Sequence, residues 1–331
     1  MATPRARLFM HLPAHLGPPD DSKLPPFNRQ VARYFRDRGG EVEIHHRDLA
    51  DLAGRGDPGV FHLVHNGRIS HPRLLNTGLA YLDGYWYADP KGIFCDSTLA
   101  DAAFDPETIQ ARAAAGFFRR LQEQFVTPRR SRYGQPVERA MLPHGAIALF
   151  LQGWSDPVAR ARHIGAVEMV RTVLAHRQGL PLVVKPHPRN PDGETRRVLA
   201  LLADHPDVVV SDANVHDILA SAAVTVSICS AVSLEGMLHR APAVLFGRAD
   251  FHHVAETVLR PGDWPAALAR ALSVPRAYDR YLYWFLHQGM IGLKRADKFD
   301  RLMARIAAKG FDPARFGLDE TVRVMGGSDQ G

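Results

Sequence analysis

The chain has 331 residues, 46% hydrophobic and 23% charged, with a formal net charge of +6. That length favours two domains over one core, and the composition is that of a soluble globular protein rather than a disordered or fibrous one. The positive balance comes from scattered arginines, with no RNP-like, zinc-finger or basic-aromatic pattern, so an anionic substrate or surface fits and no nucleic-acid partner is expected.

Two cysteines, Cys95 and Cys229, cannot form a disulfide framework, and a reducing compartment is the natural setting. The basic N-terminus has its apolar run broken by His11 and Pro13, unlike a signal peptide. No window of about twenty apolar residues is present, so no membrane-spanning helix is expected. The expected location is cytoplasmic, with peripheral placement at the inner face of the cell membrane left open.

Residues 7–12 read as a first strand, followed by a proline-rich loop over 13–27, a helix over 28–39 and a strand over 41–48. Strand, helix, Gly39-Gly40 stop and strand make the βαβ unit of a parallel sheet. The first loop is long for a βα connection, and long loops at that edge often carry function. Residues 59–67 and 74–94 continue an N-terminal domain. Residues 105–126 read as a helix with Asp105 as N-cap and Pro106 at its first position. Residues 127–145, rich in arginine, proline and glycine, read as a linker.

A second alternation follows, with strands at 146–154, 181–187, 207–212, 224–230 and 241–247. Helices at 163–179, 194–206, 215–222 and 233–240 lie between them, which predicts a doubly wound sheet. Residues from 263 to 310 read as helical, and the aromatic run 278–293 suits core packing better than a membrane surface. The expected domains are 1–140, 141–265 and a helical 266–331 that packs back on them.

Two strand ends carry chemistry. Leu182-Val183-Val184 runs into Lys185-Pro186-His187-Pro188-Arg189. The prolines keep the backbone extended and His187 out of a helix. The imidazole is thereby fixed at a strand's carboxyl end, where ligands bind in open sheets. The bland alternative is a rigid loop with solvated charges. The run 224–230 breaks into Ser227, Cys229 and Ser230 before a helix. Ser230 and Ser233 offer hydroxyl and backbone donors at the positive end of that helix, and Glu235, in its first turn, is placed to bond a ribose hydroxyl. Against this stands simple capping by Ser233. An imidazole, cations and hydroxyls at two strand ends suit a phosphate, hence a nucleotide.

Residues 183–189 and 215–251, together with a Gln-x-x-x-Asp opening from Gln152 to Asp156, resemble the capsular polysaccharide synthesis family. Its members include β-Kdo glycosyltransferases of the GT-B fold. The likeness covers residues 145–252. It implies an α/β, GT-B-like chain: two Rossmann-like doubly wound domains facing a cleft, with C-terminal helices. It also implies a CMP-sugar as donor substrate and no cofactor. In such enzymes the His-Pro element and the Ser-rich turn hold the phosphate of the sugar donor. Those roles fall on His187, Pro188, Ser230 and Glu235, with Lys185 nearby. The chain departs from the family in reading Ser-Ile-Cys-Ser where a plain Ser-Ser pair stands, which leaves open which hydroxyl meets the phosphate.

Inversion at a sugar centre needs a carboxylate to take the acceptor's proton. Asp83, before Gly84 and the aromatics Tyr85, Trp86 and Tyr87, is the first candidate, with Asp89, Asp20 and Asp21 as rivals. The alternative is an ordinary Asp-Gly turn followed by a half-buried strand. The histidines His45, His46, His62, His65, His252 and His253 form no defensible metal set, and no metal is expected. His11 and His15 flank the first loop, and Arg248 and Asp250 follow the last strand; each is an open candidate for the cleft.

The expected function is transfer of an acidic sugar, Kdo or a relative, from a CMP-sugar to a glycan or glycolipid acceptor. Inner-membrane capsule assembly machinery is the expected protein partner. Alternatives are a UDP-sugar transferase or epimerase of the same fold, or a non-catalytic capsule assembly or export component.

Overall fold

The computed structural model describes residues 5–48, 56–153, 156–188, 193–203 and 205–321. Two compact units are present: Met1–Ala80 with Gly84–Thr98 and Met290–Gly331, and Tyr81–Asp83 with Leu99–Gly289.

The first unit holds β1 (Arg7–Leu12), β2 (Glu41–His46), β3 (Val60–His65), β4 (Leu74–Leu79) and β5 (Tyr85–Asp89). A short strand, Ile291–Gly292, completes a sheet in the order 291–292, β5, β4, β3, β1, β2. β1 to β4 run parallel, whereas β5 turns back antiparallel to β4. The reversal comes from the Asp83-Gly84 turn, where Gly84 adopts φ +91° and the Ala80 N–H donates to the Tyr85 carbonyl at 2.9 Å. Only glycine adopts that conformation without strain. Leu8, Met10 and Leu12 alternate onto one face and bury Phe27, Val31 and Phe35 of the helix Pro26–Arg36. Leu302 and Ile306 of the helix Lys298–Ala308 join the same core.

The second unit holds β6 (Ala146–Phe150), β7 (Leu182–Lys185), β8 (Val208–Val210), β9 (Ala222–Ser227), β10 (Ala243–Leu245) and β11 (Glu256–Thr257). All are parallel, in the order β11-β10-β9-β6-β7-β8. The chain moves outward from β6 through β7 to β8, then jumps back to place β9 on β6's other side. That is the doubly wound order, with its topological switch between β6 and β9. Ile147 and Leu149 pack on one face with Met169, Val173 and Trp264. Ala146, Ala148, Phe150 and Val183 pack on the other with Ile218 and Leu219. Burial on both faces explains why these strands read as unbroken apolar runs.

The fold is thus α/β and GT-B-like, with two Rossmann-like units. The unit boundaries do not follow the sequence-based divisions at 140 and 265. Residues 99–140 cluster with the second sheet, because the helix Ala111–Leu121 packs against the aromatic segment: Phe117 meets Tyr283 edge to face at 5.7 Å. The helices Trp264–Ser273 and Tyr278–Leu282 stay with that unit, and only the segment from Met290 onward joins the first sheet. Tyr278, Tyr281, Leu282, Phe285 and Leu286 are all buried, as core packing requires. Among the described residues, no helix is long and apolar enough to cross a membrane.

Candidate functional site

Register places the site. Phe150 of β6 pairs with Lys185 of β7, and Leu149 pairs with Val226 of β9. Three residues therefore leave the sheet at one level from adjacent strands: Gln152, His187 and Cys229. A hydrogen bond fastens two of them across the switch point, the Cys229 N–H donating to Gln152 Oε1 at 2.8 Å. Gln152 Nε2 lies 3.6 Å from Cys229 Sγ. Gln152 thus holds two strand ends in register where an open sheet receives its ligand. The side chain of Asp156, the far end of the Gln-x-x-x-Asp opening, and Arg189 after Pro188 both lie outside the described residues.

The serine-rich turn is wired in layers. Ser227, fully buried, accepts from the Ser230 N–H at 3.1 Å and shares a 2.9 Å hydrogen bond with the Ser233 hydroxyl. Ser230 is the N-cap of the helix Ala231–Leu238, its hydroxyl accepting from the Val232 N–H at 3.3 Å. The helix therefore begins earlier than its expected start at 233. Ser230, not Ser233, caps it, and Glu235 falls in the second turn rather than the first. Ser233 is fully buried, whereas Ser230 stays half-exposed at the helix's positive end. Gly236 allows the close approach of this helix to β9, since a Cβ there would lie 2.9 Å from Thr225 Cγ2.

His187 is half-buried and Pro188 exposed, and the Tyr133 ring and the imidazole meet in a T-shaped arrangement with centroids 5.4 Å apart. Lys185 engages backbone carbonyls instead. Its ammonium donates to the Asp212 and Ala213 carbonyls at 2.8 and 2.7 Å, bracing β7 against the loop after β8. Burial pushes its pKa down, with Asp212 partly opposing.

Glu235 is 2% exposed. Oε1 accepts from the Ser131 hydroxyl at 2.9 Å, and Oε2 has no hydrogen-bond partner, with His216 Nε2 3.8 Å away. Desolvation drives its pKa up to about 7, with Ser131 opposing and the Asp83 charge adding to the rise. His216 Nε2 is 2.9 Å from the Arg130 carbonyl and Nδ1 is 2.9 Å from His239 Nε2. Both rings are held below the usual imidazole pKa, chiefly by burial, His239 at about 4. No sequence motif marks Ser131, Tyr133, His216 or His239.

Asp83 is exposed and belongs to the second unit, not to the 1–140 domain expected from the sequence. It forms the Asp-Gly turn, yet its charge reaches Glu235. Its rivals have structural employment. Asp89 is buried and accepts from the N–H groups of Lys91, Gly92 and Thr98 and from the Thr98 hydroxyl. Asp20 caps a short turn through Ser22, and Asp21 pairs with Arg36 at 2.6 Å. Asp250, fully buried, accepts from the Tyr81 hydroxyl at 2.7 Å. Arg248 is exposed, and the rings of His252 and His253 bond the carbonyls of Ala100 and Ala102. Among the described residues, no group of three or more His, Cys, Asp or Glu has a metal-holding arrangement.

A surface cavity of about 840 Å³, lined by Glu168, Arg171, Thr172, Glu194, Arg197 and Pro261 among others, lies beside the helices Ala166–Ala175 and Gly193–Leu202. None of the strand-end residues lines it, and it carries no part of this chemistry.

No protein-family model matches the sequence, and no curated protein matches it either. Solved structures do match. A KpsC β-Kdo 2,7 transferase from Thermosulfurimonas dismutans aligns with a TM-score of 0.56 at 15% identity, over 92% of this chain and 99% of that one. A KpsC β-Kdo 2,4 transferase from the same organism aligns with a TM-score of 0.50 at 17% identity, over 84% and 89%. At such identities the likeness shows a shared fold.

Proposed function

We propose that this chain is a glycosyltransferase that takes an acidic sugar from a CMP-sugar and passes it to a glycan or glycolipid acceptor. One observation carries the reading: Gln152, His187 and the Cys229-Ser230 turn leave three adjacent strands at one level, at the switch point of a doubly wound sheet. Half-exposed His187 and the Ser230 cap supply donors for a phosphate, while buried Glu235 suits a ribose hydroxyl. Ser233 supports the turn through Ser227, Lys185 braces the neighbouring loop, and Pro188 fixes the backbone after His187. As the bond to the sugar breaks, charge grows on the departing CMP phosphate, and pre-aimed donors there stabilise the transition state more than the ground state. Asp83 is the proposed base for the acceptor hydroxyl, and its exposure leaves it open to an incoming glycan. The fold shared with two β-Kdo transferases supports the choice of sugar.

Calorimetry on the full chain tests this. CMP should bind and UDP should not, and His187→Ala should weaken CMP by about tenfold to a hundredfold, the worth of a charge-assisted hydrogen bond. Heat with UDP alone would move the assignment to a UDP-sugar enzyme. Binding of neither nucleotide would leave a non-catalytic shell.

A further inference from the structure

Residues 127–145, read from sequence as a linker, are fastened to the second unit. Asp217 Oδ2 accepts from Arg129 Nη2 at 2.6 Å and from the Ala140 N–H at 3.1 Å, so one carboxylate closes both ends of the loop 129–140. Gln135 Oε1 accepts from the Val215 N–H at 3.0 Å, and Asn214 Nδ2 donates to the Pro136 carbonyl at 3.1 Å. Arg129 sits at φ +52°, a left-handed conformation that costs energy for arginine and persists only where contacts enforce it.

The loop's tip differs. Residues 130–134 have no helix or strand, and three of them reach the nucleotide-site candidates or their neighbour. The Arg130 carbonyl meets His216, the Ser131 hydroxyl donates to Glu235, and the Tyr133 ring lies against His187. Glu235 is a desolvated carboxyl with one hydrogen bond and one orphaned oxygen, an arrangement that is costly unless another polar group takes the vacancy in its hydrogen bonding. A ligand hydroxyl cannot approach that carboxyl while the groups over it stay where they are, and Ser131 is the group bonded to it.

We propose that residues 130–134 form a strap displaced by the nucleotide: Ser131 and Tyr133 cover Glu235 and His187, and the anchor at Asp217 keeps the loop attached while its tip moves aside. This rests on the assignment of Glu235 and His187 to the nucleotide. The ribose hydroxyl then replaces the Ser131 hydroxyl on Glu235, one hydrogen bond exchanged for another. The closed strap lowers the apparent affinity by the fraction of molecules in which the tip is down.

The test uses the full chain, with CMP as the probe, and compares wild type, Ser131→Ala, Tyr133→Ala and the double variant by calorimetry. Hydrogen exchange over 129–140 is read with and without CMP. Loosening the strap should tighten CMP binding by about threefold to tenfold in the double variant. CMP should also raise exchange at 130–134 while 135–140 stay protected. Weaker binding by the variants would make Ser131 and Tyr133 nucleotide contacts and overturn the strap, as would equal binding with unchanged exchange. Failure of the underlying assignment has a different signature. His187→Ala and Glu235→Ala would then bind CMP as wild type does, or neither wild type nor the double variant would bind it, and the strap would fall with the site.

Discussion

The two sheets place histidines and carboxylates near their strand ends in very different ways. In the first unit, His11, His62 and His65 are buried on β1 and β3, and His11 Nε2 lies 3.0 Å from His62 Nδ1. His45 stacks on His11 with centroids 5.7 Å apart, so His11, His45 and His62 pack against one another. In the second unit the polar groups instead engage the backbone of the strand ends: Gln152 holds Cys229, Ser230 caps a helix, and Lys185 braces a loop. That wiring leaves His187 and Ser230 half-exposed at the strand ends. Residue type does not separate a core cluster from a binding edge; what separates them is position relative to the switch point and what each polar atom already holds.

The sharpest way to break this contrast is pH. Burial, the largest cause in each case, holds His11 at about 3 and His62 and His65 at about 4. These folded values lie below the unfolded 6.5. The stability from neutral rings is therefore complete above pH 6.5 and is lost as the pH falls towards 4. Each ring is worth up to about 3 kcal/mol across that window. Urea midpoints measured at both ends of it should fall steeply for the wild type and less for a His11→Phe, His62→Leu double variant. Equal falls would show that the cluster is not the acid-sensitive element.

Glu235 gives the opposite sign and a somewhat smaller effect. Its folded pKa of about 7 exceeds the unfolded 4.5, so its contribution is intact below pH 4.5 and is lost as the pH rises towards 7. Glu235→Gln keeps the acceptor for Ser131 and cannot ionise. Above pH 7 it should be more stable than wild type by up to about 3 kcal/mol, with the difference vanishing near pH 4.5. His216 and Asp83 act near the same carboxyl and remain in both proteins, so the difference reports on Glu235. A constant difference across pH would mean the carboxyl is not desolvated in solution.

The second sheet was legible because parallel strands buried on both faces must read as apolar runs, and their ends announce themselves where Lys185-Pro186-His187 and Ser227 to Ser230 interrupt the pattern. Local motifs fared worse where long-range contacts decide. The start of the helix Ala231–Leu238 was misplaced because three serines compete for the cap, and only the pairing of Ser227 with Ser233 leaves Ser230 to do it. Asp83 carried the ordinary signal of a turn, and no sequence pattern reports that its charge reaches Glu235. The segment 127–145 has a linker's composition, yet it is held by Asp217, Asn214 and Gln135 through bonds spanning some eighty positions of sequence. Its lone aromatic, Tyr133, was the one visible sign that it packs against something.

Lys185 offers the smallest and most discriminating test, because sequence and geometry suggest different work for it. A lysine beside a His-Pro loop reads as a phosphate ligand, and losing one would weaken CMP by tenfold or more. In this structure the ammonium instead satisfies two carbonyls after β8. Lys185→Met keeps the apolar stem and leaves both carbonyls without a donor, a cost of about 1–2 kcal/mol. Relief from burying a charge offsets part of that, so the net loss should be about 1 kcal/mol in a urea titration. CMP affinity should change by less than about threefold, because the side chain acts on a loop one strand removed from the β6–β9 switch. A tenfold loss of CMP affinity at unchanged stability would return Lys185 to the phosphate. The brace would then be what the ammonium holds only when no phosphate draws it away.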